Sequence, residues 1–270
     1  EEQGQKVRLR PESFADHYSQ ARQFYVSQTG AEQRHIAMAL TFELSKVETL
    51  AIRERMVSHL LNIDETLAST VAEKLGFQAM PKPAEAALPT RQDLDPSPAL
   101  SIVKRGPKRF EGRKLGVLVT DGTDAKLLQA IIKAAGKEKA IVELIAPKVG
   151  GVKASDGSWL KAHHMIDGGP SVLFDAVAVL ASHQAIDDLV KEATARDFVA
   201  DAFQHCKYIG YDQSALPLLD KAGISQSLDE GTIALSDPKS ATEFLSELGK
   251  LRVWGREPSL KLGKASPPVE

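Results

Sequence analysis

Cysteine is nearly absent from this sequence, because its 270 residues include only Cys206. A single cysteine excludes an internal disulfide and any metal site built from several thiolates, which is typical of a reducing compartment. Cys206 precedes a short apolar run rather than ending it. We therefore expect a buried packing residue and not a reactive thiolate.

Long apolar runs and a charge excess are also missing. No run reaches about 18 apolar residues and no signal-peptide pattern is present, so we expect a cytoplasmic protein without a membrane span. Lys and Arg total 34 against 36 for Asp and Glu, a net charge of −2, which disfavours a nucleic-acid partner. The first residue is Glu1 and not Met, which favours a piece of a longer protein.

The amino-terminal part has the patterns of four short amphipathic helices. They are predicted to begin near Ser13, Thr29, Thr49 and Asp64. Thr29 and Glu32 have the spacing of a capping box, while Asp64 is a helix cap and Gly76 is a stop signal. Helices this short are marginal in isolation, so they must pack on each other or on something outside this chain.

A proline-rich segment follows. Six prolines fall between residues 77 and 107: Pro81, Pro83, Pro89, Pro96, Pro98 and Pro107. Such a segment cannot hold a regular helix or a central strand and tends to be extended. We interpret it as an interdomain linker along a surface, with Leu100, Ile102 and Val103 as its apolar anchors.

The remainder is organised around Gly112–Gly122, where a basic lead-in precedes a β-branched apolar run and a turn. Such a run predicts a strand that is buried on both faces of a parallel sheet. Further strands are predicted at Ala140–Ala146, from Asp175, at Lys207–Tyr211 and at Thr232–Leu235. Helices are predicted at Ala125–Ala135, Gln184–His205, Leu216–Ala222 and Pro238–Trp254, with a small β excursion near Gly150. This alternation predicts an α/β fold with a doubly wound parallel sheet.

Ligands of open α/β sheets bind beyond the carboxyl ends of the strands, so the residues there are the candidates for a site. Asp121 and Gly122 open a helix after the first strand, but they lack the G-x-G-x-x-G fingerprint and would put carboxylates beside a phosphate. We favour a capping role for this turn over nucleotide binding.

Two pairs of adjacent residues contain histidine, but neither has the further residues that a catalytic or metal site needs. Ser182 and His183 would suit a hydrolase, but adjacent side chains point in different directions and no G-x-S-x-G elbow is present. His163 and His164 would suit a metal, but no third ligand of suitable spacing follows, so we expect exposed loop histidines.

Several segments resemble one family in a single order along the chain. The runs GRKLGVLVTDGTDAKLL, APKVGGV, DGGPSVLFDAVAVL and RVWGR resemble the carboxyl-terminal domain of the large-subunit monofunctional haem catalases. The upstream runs FYVSQTGAEQRHIAMALTFELSKVET and IRERMVSHLLNID resemble the helical domain that follows the haem-bearing barrel in those enzymes. The resemblance, with the linker, covers nearly the whole chain.

The resemblance implies a homotetramer that dismutates hydrogen peroxide to water and oxygen on a buried haem. The haem-binding and catalytic motifs of the family lie in its barrel, and no residue here matches them. We therefore expect no catalytic, cofactor-binding or metal-binding residue in this chain, with the barrel domain and sister subunits as its partners. Its expected role is structural: it stabilises the tetramer and could gate peroxide access.

The terminal domain of that family is also similar to the flavodoxin-like and class I glutamine amidotransferase-like superfamily. Approximate registration puts Gln213 at the position of the superfamily's nucleophilic cysteine. Ser182 and His183 then replace the glycine pair of the oxyanion hole, and Leu127 falls near the acid. The chemical elements are missing, so similarity of fold does not carry the activity.

In the helical domain, Gln20 and Phe24 occupy the places where small-subunit catalases contact NADPH. The large-subunit family does not generally hold that nucleotide, and we favour a packing role for Phe24. Glu43 would then lie near a lateral channel to the haem.

The resemblance divides the chain into a helical domain at 1–76, a proline-rich linker at 77–111, a flavodoxin-like α/β domain at 112–258 and a tail at 259–270. Two alternatives to the catalase interpretation stay open. One is an amidotransferase-like or deglycase-type hydrolase, and the other is a holdase-like chaperone module. Replacement of Ser182 and His183 tests the first, and suppression of client aggregation tests the second.

Overall fold

The structure is a computed structural model that describes Gly4 and residues 6–260. The chain divides into two compact units, Glu1–Gly106 and Pro107–Glu270, which we call the helical unit and the α/β unit. Each is described by itself. Residues 261–270 of the predicted tail lie outside the described residues.

The helical unit packs short helices around one apolar core. Its helices are α1 (Ser19–Ser27), α2 (Gly30–Ser45), α3 (Leu50–Leu61), α4 (Glu65–Lys74) and the single turn α5 (Ile102–Arg105). Val57, Ala68 and Val71 are fully buried at the centre of the core. The amphipathic stripes of these helices are thus partly buried within this unit.

The first helix begins later than its apolar pattern predicts. A 3₁₀ turn covers Glu12–Ala15, and α1 starts only at Ser19. The carboxylate of Asp16 accepts hydrogen bonds from the backbone amides of Tyr18 and Ser19, and the Asp16 backbone is extended. The prediction of a helix from Ser13 is wrong because this local cap begins a new helix.

The predicted caps of the next helices are confirmed. Thr29 Oγ1 accepts from the Glu32 amide, and Glu32 Oε2 accepts from the Thr29 amide, which completes a capping box. Asp64 Oδ1 accepts from the Leu67 amide at 3.1 Å. Gly76 has a φ of 80°, the left-handed conformation that glycine adopts most easily after a helix.

The proline-rich segment lies along the helical unit through polar contacts. The amides of Arg91 and Ser97 donate to the hydroxyls of Ser19 and Ser27 at 2.9 and 2.8 Å. Both serines are buried. Because proline removes amide donors, the segment forms few bonds of its own and takes its partners from the helices.

The predicted apolar anchors of this segment are wrong in part. Ile102 is 78% exposed and Leu100 is also exposed. The buried residue is Ser101, whose hydroxyl donates to Glu32 Oε2 at 2.7 Å, while the Val103 amide donates to Glu32 Oε1 at 3.1 Å. One carboxylate therefore replaces the apolar contacts that the sequence suggested.

The α/β unit holds one parallel sheet and one hairpin. The strands of the sheet are β1 (Lys114–Val119), β2 (Ile141–Ala146), β5 (His164–Met165), β6 (Ala176–Leu180), β7 (Ile209–Tyr211) and β8 (Thr232–Ala234), in the order β5-β2-β1-β6-β7-β8. Strands β3 (Val152–Lys153) and β4 (Trp159–Leu160) pair antiparallel and form the predicted excursion. The helices are α6 (Ala125–Lys137), α7 (Ile186–Leu189), α8 (Ala193–Gln204), α9 (Leu216–Lys221), α10 (Pro238–Glu247) and α11 (Glu257–Leu260).

The predicted fold class is confirmed by this topology. The sheet grows outward from β1 in both directions, toward β2 on one side and toward β6, β7 and β8 on the other, with every pair parallel. All five residues of β6 are buried, because apolar clusters cover both faces of the sheet. This is the doubly wound, flavodoxin-like arrangement, and a set of helices precedes it.

The last predicted helix is too long. Helix α10 ends at Glu247, whereas the pattern predicts a helix to Trp254. A Cβ on Gly249 would lie 3.0 Å from the carbonyl oxygen of Lys108, so backbone packs directly on backbone there. Leu251 then takes a φ of 69°, which redirects the chain. A tertiary contact, and not local pattern, ends this helix.

The chain beyond α10 is bound to the amino-terminal side of the sheet by two arginines. Arg256 forms two hydrogen bonds with the Asp229 carboxylate at 2.6 and 2.7 Å and donates to the Lys207 carbonyl at 2.8 Å. Arg252 donates to the Asp175 carbonyl at 2.9 Å.

In the part of the chain that the structure describes, no helix has the length and apolar content needed to cross a membrane.

Candidate functional site

Four strands of the sheet end around one depression of about 380 Å³. It is lined by Asp124 after β1, Ser182 and His183 after β6, Asp212 and Gln213 after β7, and Ser236 after β8. We call this depression the edge pocket. It lies where sequence reasoning expects a ligand in an open α/β sheet.

The turn after β1 has no free place for a phosphate. Asp121 Oδ1 accepts from the Lys153 amide at 2.8 Å, and Asp121 Oδ2 accepts from Lys148 Nζ at 3.0 Å. These two bonds, the amide first, lower the pKa of Asp121. The Gly122 amide donates to the Lys153 carbonyl at 2.7 Å. The turn is fixed to the β3 strand of the hairpin.

The amides at the start of α6 are likewise used internally. Asp124 Oδ1 accepts from the amides of Lys126 and Leu127, and Ser155 Oγ accepts from the Ala125 amide. A phosphate at a helix start needs such amides to be available. The capping interpretation is therefore confirmed here, and the geometry does not support nucleotide binding.

Ser182 is a structural hydroxyl. Its Oγ donates to the Asp121 carbonyl at 2.6 Å and accepts from the Ala185 amide at 3.2 Å. Its amide donates to Thr120 Oγ1 at 3.0 Å. A nucleophilic serine instead directs its proton to a base. His183 is exposed and accepts no hydrogen bond from Ser182 among the described residues, so the geometry does not support the hydrolase alternative.

The residues registered on the amidotransferase machinery do not form a catalytic group. Gln213 is exposed in a 3₁₀ turn at the rim of the edge pocket, and Leu127 packs in the apolar core. The residue that sequence reasoning left without a role is Asp212, which follows β7 directly. Its Oδ1 accepts from the Ala215 amide at 3.0 Å.

Asp212 has an unusual environment. Burial raises its pKa to about 6, although the amides of Ala181 and Ala215 and the nearby His183 favour the ionised form. Strands from distant parts of the sequence cause this burial, so the local sequence gives no signal of it. Perturbed carboxyl groups in a cleft are candidates for function.

The two adjacent histidines have specific partners. His163 Nδ1 accepts from the Leu144 amide at 2.9 Å, and His164 Nε2 lies 2.8 Å from Glu143 Oε2. Glu143 also pairs with Lys114 Nζ at 2.6 Å. The expectation of loop histidines is wrong for His164, which belongs to the two-residue strand β5. Over the described residues, no three potential metal ligands cluster.

The remaining candidates lie away from the edge pocket. Cys206 is 3% exposed, and burial raises the pKa of its thiol, so the predicted packing role is confirmed. In the helical unit, Gln20 is exposed and Phe24 is 47% exposed, so the favoured packing role of Phe24 is not fulfilled within the described residues. Glu43 is exposed and pairs with Lys46 at 3.0 Å.

Comparison with known families decides the relationship. Residues 111–258 match the family described as the C-terminal domain found in long catalases, which is more than half of the chain. The chain belongs to the long-catalase family. Residues 11–75 also match the family described as catalase-related immune-responsive.

Individual long catalases agree along nearly the entire chain. Catalase C of Rhizobium meliloti (strain 1021) is 71% identical over 262 residues, which are 97% of this chain and 37% of that protein. Catalase HPII of Pseudomonas putida is 37% identical over 254 residues, 93% of this chain and 35% of that protein. Catalase-2 of Bacillus subtilis (strain 168) is 32% identical over 259 residues, with shares of 94% and 36%. The chain thus spans little more than a third of the relatives that it matches.

Proposed function

We propose that this chain is the carboxyl-terminal portion of a haem catalase whose full length converts hydrogen peroxide to water and oxygen. The observation that carries the proposal is the agreement of 71% with Catalase C over 97% of this chain. In this proposal the helical domain at 1–76 and the α/β domain at 112–258 are joined by the segment 77–111. The parent acts in the cytoplasm against oxidative stress.

The described residues do not fit a haem. A haem needs a large apolar slot with an axial ligand facing the iron. The edge pocket is lined by Asp124 and Asp212 among other polar side chains, and a depression of the helical unit is lined by Arg22 and Asp64. We therefore assign the haem and its chemistry to parts of the parent outside this chain.

The role of this portion is structural and lies in assembly. Several large apolar side chains of the helical unit stay substantially exposed: Phe24, Phe42, Leu50 and Ile52. Phe42 alone is 62% exposed. Exposed apolar groups of this size mark surfaces that another part of the protein covers, and closed symmetric oligomers supply such cover. We assign this surface to the barrel domain and the sister subunits of a homotetramer.

A charge placed on this surface tests the assignment. In the full-length parent, Phe42→Glu should lower the tetramer fraction at micromolar protein by about tenfold, because a carboxylate would be buried without a partner. Mass photometry measures the fraction, and Ser69→Glu on an exposed position of α4 is the matched control. A Phe42→Glu parent that remains as tetrameric as the control would exclude Phe42 from the interface.

A further inference from the structure

We propose that the edge pocket binds a small organic cation that carries hydroxyl groups, of the amino polyol class. Such a ligand would be neither the cofactor nor the substrate of the peroxide reaction. The proposal goes beyond the proposed function and does not depend on it. It concerns a surface that the α/β unit forms by itself.

The position and size of the pocket are the first argument. The chain passes from β1 to β2 on one side of β1 and, after β5, returns to form β6 on the other side, and the pocket opens beside the ends of β1, β6, β7 and β8. Ligands of doubly wound sheets bind at such a switch in strand order. Its volume of about 380 Å³ lies within the range of about 300–1,000 Å³ that is usual for small-molecule sites.

The charge of the lining is the second argument. Asp124 and Asp212 carry negative charge, and no Lys or Arg lines the pocket. Asp121 in the neighbouring turn has Lys148 as its partner, whereas no described Lys or Arg forms an ion pair with Asp212. Among the described lining residues, His183 is the one that can carry positive charge, so the two carboxylates outnumber it, and such a concave surface attracts small cations and repels phosphates and carboxylates.

The polar lining specifies the rest of the ligand. The hydroxyls of Ser214 and Ser236 and the amide group of Gln213 supply both donors and acceptors around the two carboxylates. Each hydroxyl group of a polyol can donate a hydrogen bond to an acceptor of the lining or accept one from a donor. An alkyl amine without hydroxyls would leave these groups without partners in the complex, and such unmet groups lower affinity.

The half-buried carboxyl group of Asp212 links ligand binding to its own protonation. Its pKa is raised to about 6 by burial, with His183 and Asp124 as the charged groups that face it from the ends of β6 and β1. A bound ammonium would favour the ionised form, so protons and the ligand compete. Affinity should therefore fall as the pH drops below about 6.

The test uses the full 270-residue chain and three related probes: D-glucosamine as the cation, D-glucose as the neutral polyol and D-glucose 6-phosphate as the anion. Saturation-transfer NMR and titration calorimetry measure binding at about pH 7.5. Glucosamine should bind at least about tenfold more tightly than glucose, and glucose 6-phosphate should not bind. Equal binding of the three probes, binding only of the anion, or no binding of glucosamine would overturn the proposal.

Charge variants locate the site. Asp212→Asn should weaken glucosamine binding by about tenfold, whereas Asp156→Asn in the hairpin turn should leave it unchanged. Asp212 also accepts a hydrogen bond from the Ala215 amide, so its replacement could disturb folding. A second pair of variants therefore changes Gln213, which is exposed and has no hydrogen bond among the described residues. Gln213→Arg should abolish binding and Gln213→Glu should retain it. Binding that ignores the sign of this charge would also contradict the assignment.

Discussion

Glu32 joins two parts of the helical unit that are 69 residues apart. Burial opposes ionisation of its carboxyl group, but bonds from the amides of Thr29 and Val103 and the hydroxyls of Ser101 and Thr29 outweigh burial and lower its pKa to about 2. The stabilisation is complete above the unfolded value of 4.5 and is lost as the pH falls through about 2. At neutral pH the carboxylate is ionised and binds the proline-rich segment through its hydrogen bonds to Ser101 and Val103.

Replacement of this carboxylate should loosen the segment. Glu32→Gln keeps the shape of the side chain, but it replaces one accepting oxygen with an NH₂ group that faces other hydrogen-bond donors. We expect a loss of about 2 kcal/mol in the free energy of unfolding at pH 7. Urea denaturation measures the loss, and hydrogen exchange at Val103 reports the local opening. Glu43→Gln, on an exposed position of the same helix, should change stability by less than about 0.5 kcal/mol. Equal effects of the two changes would contradict the role of Glu32.

Gly116 in strand β1 has no side chain, and this leaves room for the ring of Phe174. A Cβ on Gly116 would lie 2.5 Å from Cδ2 of Phe174, so the ring packs directly on the backbone of the strand. Phe174 in turn contacts His164 and Phe198 edge-on, with ring centroids 5.9 and 6.3 Å away. Gly116 therefore allows this group of rings to pack on one face of the sheet.

Two alanine substitutions at glycines should therefore act in opposite directions. Gly116→Ala should cost about 1–3 kcal/mol because the buried ring cannot move away without disturbing its neighbours. Gly136→Ala, in α6, has nothing within 4 Å of its new methyl group and should stabilise by up to about 1 kcal/mol. Calorimetric melting of both variants measures these changes. Stabilisation by Gly116→Ala would mean that Phe174 is not fixed by the strand.

The segment after α10 depends on Arg256, whose side chain is 1% exposed. Burial would raise the pKa of Asp229, but the Arg256 guanidinium, together with bonds from the Gly231 amide and the Thr232 hydroxyl, outweighs burial and lowers it. Arg256→Ala leaves this carboxylate without its partner and should cost about 3–5 kcal/mol. Chemical denaturation of the variant measures the cost, with the exposed Lys250→Ala as control. A double variant with Asp229→Asn should recover part of the loss, and no recovery would show that the pair is not the cause.

Elements with a local cause were predictable, and those with a tertiary cause were not. The apolar run of β1 and the capping box of Thr29 carry their information within a few residues. The end of α10 depends on Gly249 against Lys108, and β5 has only two residues, too few for a period. The raised pKa of Asp212 depends on strands that meet only in the folded sheet.

At the scale of the whole molecule, the polar groups at the strand ends serve packing. The turn after β1, Ser182 and the two arginines after α10 all form bonds that hold segments together. Ser182 directs its proton to a backbone carbonyl, and over the described residues no three potential metal ligands cluster. In the proposed function this portion contributes to the parent by folding and assembly, and the peroxide reaction belongs to the rest of the parent.

Oxygen evolution per bound haem tests this separation most directly. It should be measured in the full-length parent and in a parent that carries Ser182→Ala with His183→Ala, with haem content from the Soret band and assembly from mass photometry. Turnover per haem should agree within about twofold between the two proteins, because neither side chain takes part in the reaction. A fall of more than about tenfold with haem and assembly retained would contradict it.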